Sequence, residues 1–397
     1  MMTGRRSWSA LELSPEAEQI LALARQFAEE RLQPTAEARD ANEDRFDADI
    51  HRELGELGFL AMRVPERYDG LGLDLVTYLY VLEELAWGDA GVAVSVSIHN
   101  SLAAAILLRR GSDAQRDEWL PRMASGEVLG AFSLSEAGAG TDAAALRTQA
   151  TPAEGGWILN GEKMWVTNGA SADVVLTFAR TDTAEDRRGS RGISAFLLPR
   201  GTDGLSVGRK ERKMGQRGSE TVALSLKDVF LPQELMVGEV NRGFSYALEG
   251  LEAGRLGIAA QALGIASAAV DAAFEYADTR RQFGRSLREF QGMEFKLGDM
   301  VTRLEAARGL LERAAAAHTM GDPRARRLSS VAKLFASETA MTNAREAVQV
   351  FGGYGYSREY PVERLFRDAK VTEIYEGANE MHRSLIARQL YRERGYV

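Results

Sequence analysis

Two rhythms of apolar and polar positions alternate along the chain. From about Pro15 to Ser125 apolar residues return every three or four positions, as in "AEQILALARQFAEERL", "FDADIHRELGELGFLAM" and "LVTYLYVLEELAW", the spacing that lines one face of an α-helix. Short runs such as "VPERYDGLGLDL" punctuate these segments. A helical bundle is expected there. Between roughly Glu127 and Val237 the period drops to two, with β-branched and aromatic residues favoured, in "GWILNGEKMWVTNG", "ADVVLTFART", "ISAFLLP" and "ETVALSLKDVFLP". Asn160-Gly161, flanked by such strands, predicts a hairpin turn. From about Asn241 the helical period returns in "AVDAAFEYADTRRQFG" and "LSSVAKLFASETAMTNAREAVQVF" and continues to the C-terminus, with a break near Gly377. The expected fold class is α+β: an N-terminal helical bundle (1–126), a middle antiparallel β domain (127–237) and a C-terminal helical bundle (238–397). Short joins suggest one compact unit.

Composition narrows the chemistry. With 45% apolar and 27% charged residues the 397-residue chain is an ordinary globular one. A net charge of -8 leaves no global basic field for nucleic acid or anionic lipid, so an anionic ligand would have to be caught by local arginines. Without cysteine there can be no disulfide, thiolate nucleophile or iron-sulfur cluster. His51, His99, His318 and His382 lack metal-ligand spacing, so no metal site is expected. The start, "MMTGRRSWSALELSPEAEQ", lacks the apolar core of a secretory signal. The run "LGIAAQALGIASAAVDAAF" is broken by Gln261, Ser267 and Asp271, which suits a tightly packed buried helix better than a membrane span. A soluble cytoplasmic protein is expected.

Four segments carry candidate chemistry. In "AFSLSEAGAGTDAAAL", Gly138 and Gly140 allow backbone N–H groups to converge on an anion, with Ser135 and Thr141 as hydroxyl donors; an ordinary glycine-rich loop reads equally well. In "GEKMWVTNG", Trp165 and Thr167, two apart on one strand face, suit a planar heterocycle or simply core and rim. In "YADTRRQFGRSLREFQ", Arg280, Arg281 and Arg285 around Gly284 form either a pyrophosphate clamp or a basic helix end answering the dipole. In "QVFGGYGYSREYPVERLFRDAKVTEIYEGANEMHR", Gly352, Gly353 and Gly355 permit close backbone approach or a sharp corner, and the run leads to three carboxylates, Glu373, Glu376 and Glu380.

In order, spacing and context these segments resemble the acyl-CoA dehydrogenase family across almost the whole chain. The resemblance implies FAD as cofactor, an acyl-CoA substrate, a homotetramer, and electron-transferring flavoprotein as redox partner. It implies flavin contacts from Phe132, Leu134, Ser135, Trp165 and Thr167, with Thr141 reaching a pyrophosphate or the CoA arm. Arg280, Gln282, Phe283 and Gln291 would meet the FAD diphosphate and adenine, joined by Gln349, Gly352 and Gly353 from a neighbouring subunit. Ala378, where many relatives carry threonine, and Glu380 complete the cofactor set. Glu252 and Arg255 in "LEAGR", together with Arg388, would hold CoA, and Tyr375 and Gly377 would flank the thioester. Glu376 is the implied base: it takes the α-proton while a β-hydride passes to flavin N5, leaving a trans-2-enoyl-CoA. A branch of the family takes its base from the position of Gly254, and glycine cannot serve. Ile98 and His99 in "VSVSIHNSL" would shorten the acyl pocket. Two alternatives stay open, an acyl-CoA oxidase on the same scaffold and a noncatalytic helical scaffold.

Overall fold

The computed structural model describes residues 13–42, 47–182 and 189–396. The first twelve residues, read above for a targeting signal, lie outside them.

Seven helices come first: α1 (Pro15–Phe27), α2 (Ala36–Ala41), α3 (Ala48–Glu56), α4 (Leu75–Gly88), α5 (Ala90–Ser97), α6 (Ala105–Arg110) and α7 (Asp113–Ala124). Their starts are set by side-chain caps. Ser14, Asp74 and Asp89 accept from first-turn N–H groups of α1, α4 and α5, and Ser112 forms a reciprocal capping box with Gln115 on α7. A π-helical stretch, Ile98–Ala104, joins α5 to α6.

Eight strands follow: β1 (Gly130–Ser133), β2 (Gln149–Ala153), β3 (Gly156–Thr167), β4 (Val174–Arg180), β5 (Ile193–Pro199), β6 (Leu205–Lys210), β7 (Thr221–Pro232) and β8 (Met236–Val237). They form one sheet in the order β6-β7-β3-β2-β4-β5-β8, with β1 also on β4. Most ladders are antiparallel, as the alternating pattern leads one to expect, but β1 and β2 each run parallel to β4. The sheet is therefore mixed.

The expected hairpin at Asn160-Gly161 is not there. The chain turns instead at Gly155 (φ 73°) between β2 and β3, while Asn160-Gly161 lies inside β3 at a register shift against β7. Asn160 exchanges two hydrogen bonds with Asp228, at 2.8 and 3.1 Å, and a Cβ on Gly161 would stand 2.5 Å from Thr148 Oγ1. This glycine serves a bulge and a close approach rather than a turn.

The last part contains α8 (Gly243–Thr279), a two-strand hairpin of β9 (Arg281–Gln282) and β10 (Arg285–Ser286), then α9 (Gln291–Thr319), α10 (Ala325–Phe351), α11 (Val362–Thr372) and α12 (Asn379–Glu393). The central helix α8 packs against α4, α9 and α10. Its small residues let backbones close up: a Cβ on Gly264 would lie 2.6 Å from the Cβ of Ala86 on α4. Two helical segments, Ala90–Arg110 and Gly243–Thr279, are long and apolar enough to cross a membrane, yet 83% of each apolar window is buried inside the fold. Protein core accounts for their apolarity.

Candidate active site

The loop between α11 and α12 carries Glu376. Glu373 lies one residue past the end of α11 and pairs with Lys370 at 2.6 Å, so it is a surface ion pair at the helix end rather than a member of the helix. Glu376 stands in the loop, with φ 51°, and Gly377 follows at φ 101°. A left-handed glutamate persists only where its surroundings hold it. Here the buried Lys333 on α10 donates from Nζ to the Gly377 carbonyl at 2.8 Å and to Asn379 Oδ1 at 3.1 Å, while Asn379 N–H donates to Glu373 O at 3.0 Å. The ring of His382 closes the underside, where a Cβ on Gly377 would lie 3.0 Å from its Nε2.

The Glu376 carboxylate points at α8. A Cβ on Gly254 would fall well inside contact with Oε2 and 2.7 Å from both Oε1 and the carboxyl carbon. The position that bears a base in one branch of the resembled family thus coincides in space with the carboxylate reached from the α11–α12 loop. Both carboxylate oxygens are buried and neither has a hydrogen-bond partner. Burial raises the pKa to about 8, against the opposing pull of Arg255 and Lys333. Arg255 is itself 7% exposed, with Nε unpartnered, and its pKa is lowered by burial although Glu376 and Glu252 favour its charge. Tyr375 is anchored beside Glu376: its hydroxyl donates to Gln261 Oε1 on α8 and receives Gln216 Nε2 at 3.2 Å.

Beside this carboxylate lies a small apolar cluster, Val94, Ile98, Leu102 and Ile258, against which Phe132, Leu251 and Tyr375 pack. Ile98 belongs to it. His99 does not. It is fully buried between α7 and β1, accepting Gly130 N–H at Nδ1 (2.8 Å) and donating from Nε2 to Met123 O (3.2 Å), a structural role.

The residues assigned to the flavin fall into two groups. On the sheet, Phe132 packs on Phe178, Leu134 is buried, and the Ser135 carbonyl accepts Met164 N–H at 2.9 Å, which ties the loop to β3. Thr141, Gly138 and Gly140 are exposed, and no residue from 136 to 145 is left-handed. The loop therefore lacks the alternating backbone of an anion nest, which favours the ordinary glycine-rich loop of the two readings left open; its glycines leave open space. Trp165 and Thr167 also depart from simple alternation. A bulge between Lys163 and Val166 gives Trp165 φ 60° and leaves it 60% exposed, while Lys163 turns inward to pair with Glu136 at 2.9 Å. A large indole held outward at a strained position is poised to cover something.

The second group gathers on the C-terminal helices. Arg280, Gln282, Gly352 and Gly353 line one cavity of about 460 Å³ with Tyr276 and Tyr354, and the lining includes no residue of the sheet. Among the described residues Arg280 has no carboxylate partner; it stacks over Tyr354. Gly352 is at φ 61°, and neither Gly352 nor Gly353 has anything within 4 Å of a would-be Cβ. Phe283 is 94% exposed, and Gln291 and Gln349 are exposed. A free guanidinium, open glycine backbone and flanking aromatics fit the phosphate and adenine end of a dinucleotide. Ala378 precedes α12 and Glu380 lies in its first turn, where a carboxylate suits the dipole. Arg388 is exposed on α12, and Glu252 faces His318 at 3.7 Å.

Sequence reasoning passed over Lys333, Gln216, Gln261 and His382. Lys333 left one signal: it falls in phase with the buried Ser329, Ala336 and Ala340 on the inner stripe of α10, where a lone lysine needs a partner. Gln216 and Gln261 acquire their role only through contacts between distant segments, while His382 meets Gly377 across the first turn of α12.

Three family models cover most of the chain: "Acyl-CoA dehydrogenase, N-terminal domain" over residues 14–127, "middle domain" over 131–229 and "C-terminal domain" over 241–391. An acyl-CoA dehydrogenase of Bacillus subtilis is 43% identical over 380 residues, 96% of this chain and 99% of that one. Among solved structures, butyryl-CoA dehydrogenase from Megasphaera elsdenii superposes with a TM-score of 0.92 at 43% identity, covering 96% of this chain and 100% of the other. A chain from a structure described as electron transferring flavoprotein of Acidaminococcus fermentans gives 0.93 at 42% identity, covering 97% and 100%.

Proposed function

The chain belongs to the acyl-CoA dehydrogenase family and is an oxidoreductase; from that premise we propose that Glu376 abstracts the α-proton of a short acyl-CoA thioester. The observation that carries this reading is the Glu376 carboxylate itself, buried without a partner against Gly254 and beside an apolar cluster. An unpartnered buried carboxylate is costly unless it has a task.

FAD, when bound, supplies the two-electron acceptor for this family's chemistry. The chain's own residues do the rest. Glu376 receives the α-proton, and a pKa lifted toward neutrality improves the match to so weak a carbon acid. The backbone N–H of Glu376, which takes no part in the loop's own backbone hydrogen bonds, is placed to stabilise negative charge developing on the thioester oxygen. Tyr375 and Gly377 flank the thioester, and Glu252, Arg255, Thr141 and Arg388 take the CoA portion. Trp165 and Thr167 cover the flavin, while Arg280, Gln282 and the Gly352-Gly353 backbone hold the diphosphate end of a cofactor shared between copies. Phe283, at 94% exposure, suits burial against such a second copy.

The acyl group is short, because Ile98, Leu102 and Phe132 pack with Tyr375 in one small apolar cluster, and because the related Megasphaera elsdenii enzyme is a butyryl-CoA dehydrogenase. Anaerobic bleaching of the flavin by straight and branched acyl-CoA thioesters tests this: butyryl-CoA should reduce it fastest, and equal or faster reduction by octanoyl-CoA would overturn the short-chain assignment. Reoxidation by electron-transferring flavoprotein should outpace reoxidation by air; the reverse order would make the enzyme an oxidase.

Lys333 acts as a positioning residue for the base. Its ammonium lowers the pKa of Glu376 and its hydrogen bonds fix the loop. In Lys333→Met the pH midpoint of flavin reduction should move upward, with the rate at pH 7 down roughly 10- to 100-fold for the combined loss of charge and loop placement. A slower enzyme with an unmoved pH profile would leave Lys333 a purely structural role.

A further inference from the structure

A second polar cavity, of about 140 Å³, opens beside α8 where the end of α6 and the end of α9 approach it. Arg63, Arg109, His318 and Thr319 form its polar side, and Ala253 and Leu256 its floor. Those two α8 residues lie on a different stripe of the helix from Gly254, which faces Glu376. The cavity is thus distinct from the carboxylate site, and Glu252 approaches its His318 at 3.7 Å.

Its charges are unbalanced. Arg63 and Arg109 make no hydrogen bond or ion pair with any described residue, and Arg63 Nε is buried. His318 Nε2 is buried without a hydrogen bond; Glu252, 3.7 Å away, is its ion-pair partner when the ring is protonated, and Asp74 acts on Arg63 only at longer range, so neither arginine has a carboxylate against it. Two permanent cations and an imidazole therefore share one small space in a chain whose net charge is -8. Like charges so placed repel, and a half-buried guanidinium with unmet donors carries a desolvation cost. Both costs are removed by one ligand with several acceptor oxygens and more than one negative charge.

We propose that Arg63, Arg109 and His318 form a phosphate-binding site. Guanidinium forks match phosphate oxygens in pairs, and a phosphate dianion neutralises both arginines at once. The volume admits one such group. The phosphate has two possible sources, the phosphates of the CoA thioester held next door at Glu252, which rests on the function proposed above, or free phosphate, which does not.

The test uses FAD-loaded protein in a Glu376→Gln background, so that binding is read without turnover. Arg63→Gln and Arg109→Gln are each added, and binding of butyryl-CoA, butyryl-pantetheine and inorganic phosphate is measured by calorimetry. If CoA supplies the phosphate, each substitution weakens butyryl-CoA roughly 10- to 100-fold, the usual range for a lost charged hydrogen bond, and leaves butyryl-pantetheine unchanged. If the site takes free phosphate, inorganic phosphate binds the parent, both substitutions abolish that binding, and butyryl-CoA affinity does not move. Butyryl-CoA and phosphate behaving alike in parent and variants overturns the site. Arg109 is exposed, so its variant tests the proposal even where Arg63→Gln fails to fold. Failure of wild-type enzyme to be reduced by any acyl-CoA would overturn the function proposed above while leaving the phosphate titration intact.

Discussion

Replacing Glu376 with glutamine is expected to leave the protein folded and yellow with FAD while slowing its anaerobic bleaching by butyryl-CoA roughly 10²- to 10⁴-fold, the span attributable to a general base. The side chain keeps its size, so Gly254 and the apolar cluster are undisturbed and only the proton acceptor is lost. Retained bleaching at the wild-type rate would move the base elsewhere, with Glu252 as the next carboxylate along α8. The same substitution reports on stability. Burial lifts the folded-state pKa of Glu376 to about 8 from an ordinary 4.5, so between those values the folded protein holds a proton that the unfolded chain has released. The contribution to stability is complete below pH 4.5 and is lost as pH rises through about 8. Glutamine cannot ionise. The variant should therefore melt at a higher temperature than wild type near pH 9, with the gap narrowing toward pH 5, when both are compared at equal FAD saturation. A gap independent of pH would show that the carboxyl is not buried neutral in the fold.

Gly254→Ala should be nearly as damaging without touching a chemical group. The added methyl would occupy the space of the Glu376 carboxylate, and the atoms it meets are the end of a flexible side chain, so the fold survives by swinging that side chain away. A displacement of about 1 Å at a reacting group can cost on the order of 10²-fold in rate. Flavin reduction should fall by at least that much, with FAD content and melting temperature close to wild type; an alanine variant with full activity would mean that the carboxylate works from another position. The crowding also predicts a rescue. Because the two positions converge on one place, Gly254→Glu combined with Glu376→Gly should bleach measurably faster than Glu376→Gln. If it does not, the α8 route cannot present a base in this chain.

Much of this molecule is written locally. The change from a three-to-four period to a period of two and back marks where helices give way to strands, because each period places apolar side chains on one face of its own kind of element. The run "LGIAAQALGIASAAVDAAF" reads as a packed helix for the same reason, its small residues admitting neighbouring backbones. Local signals mislead where a tertiary contact uses the same residue type differently. Asn160-Gly161 has the composition of a turn, yet the glycine is needed for Thr148 to approach and the asparagine for Asp228. Trp165 and Thr167 look like one face of a strand until a bulge intervenes.

The candidate site divides along the same line. The sequence by itself determined which residues could do chemistry: the glutamate and its glycine in "EIYEGANEM", the arginines after α8, the open glycines after α10. It determined this because side-chain type and short spacing are local properties. Only the tertiary structure decided what surrounds them. It brought Gly254 against Glu376 so that no side chain could stand between, set Lys333 under the Gly377 carbonyl, and left the carboxylate buried without a hydrogen bond. The lift in the base's pKa is a property of that enclosure. Desolvation depends on which distant segments exclude water from a group, and no spacing along a chain records it.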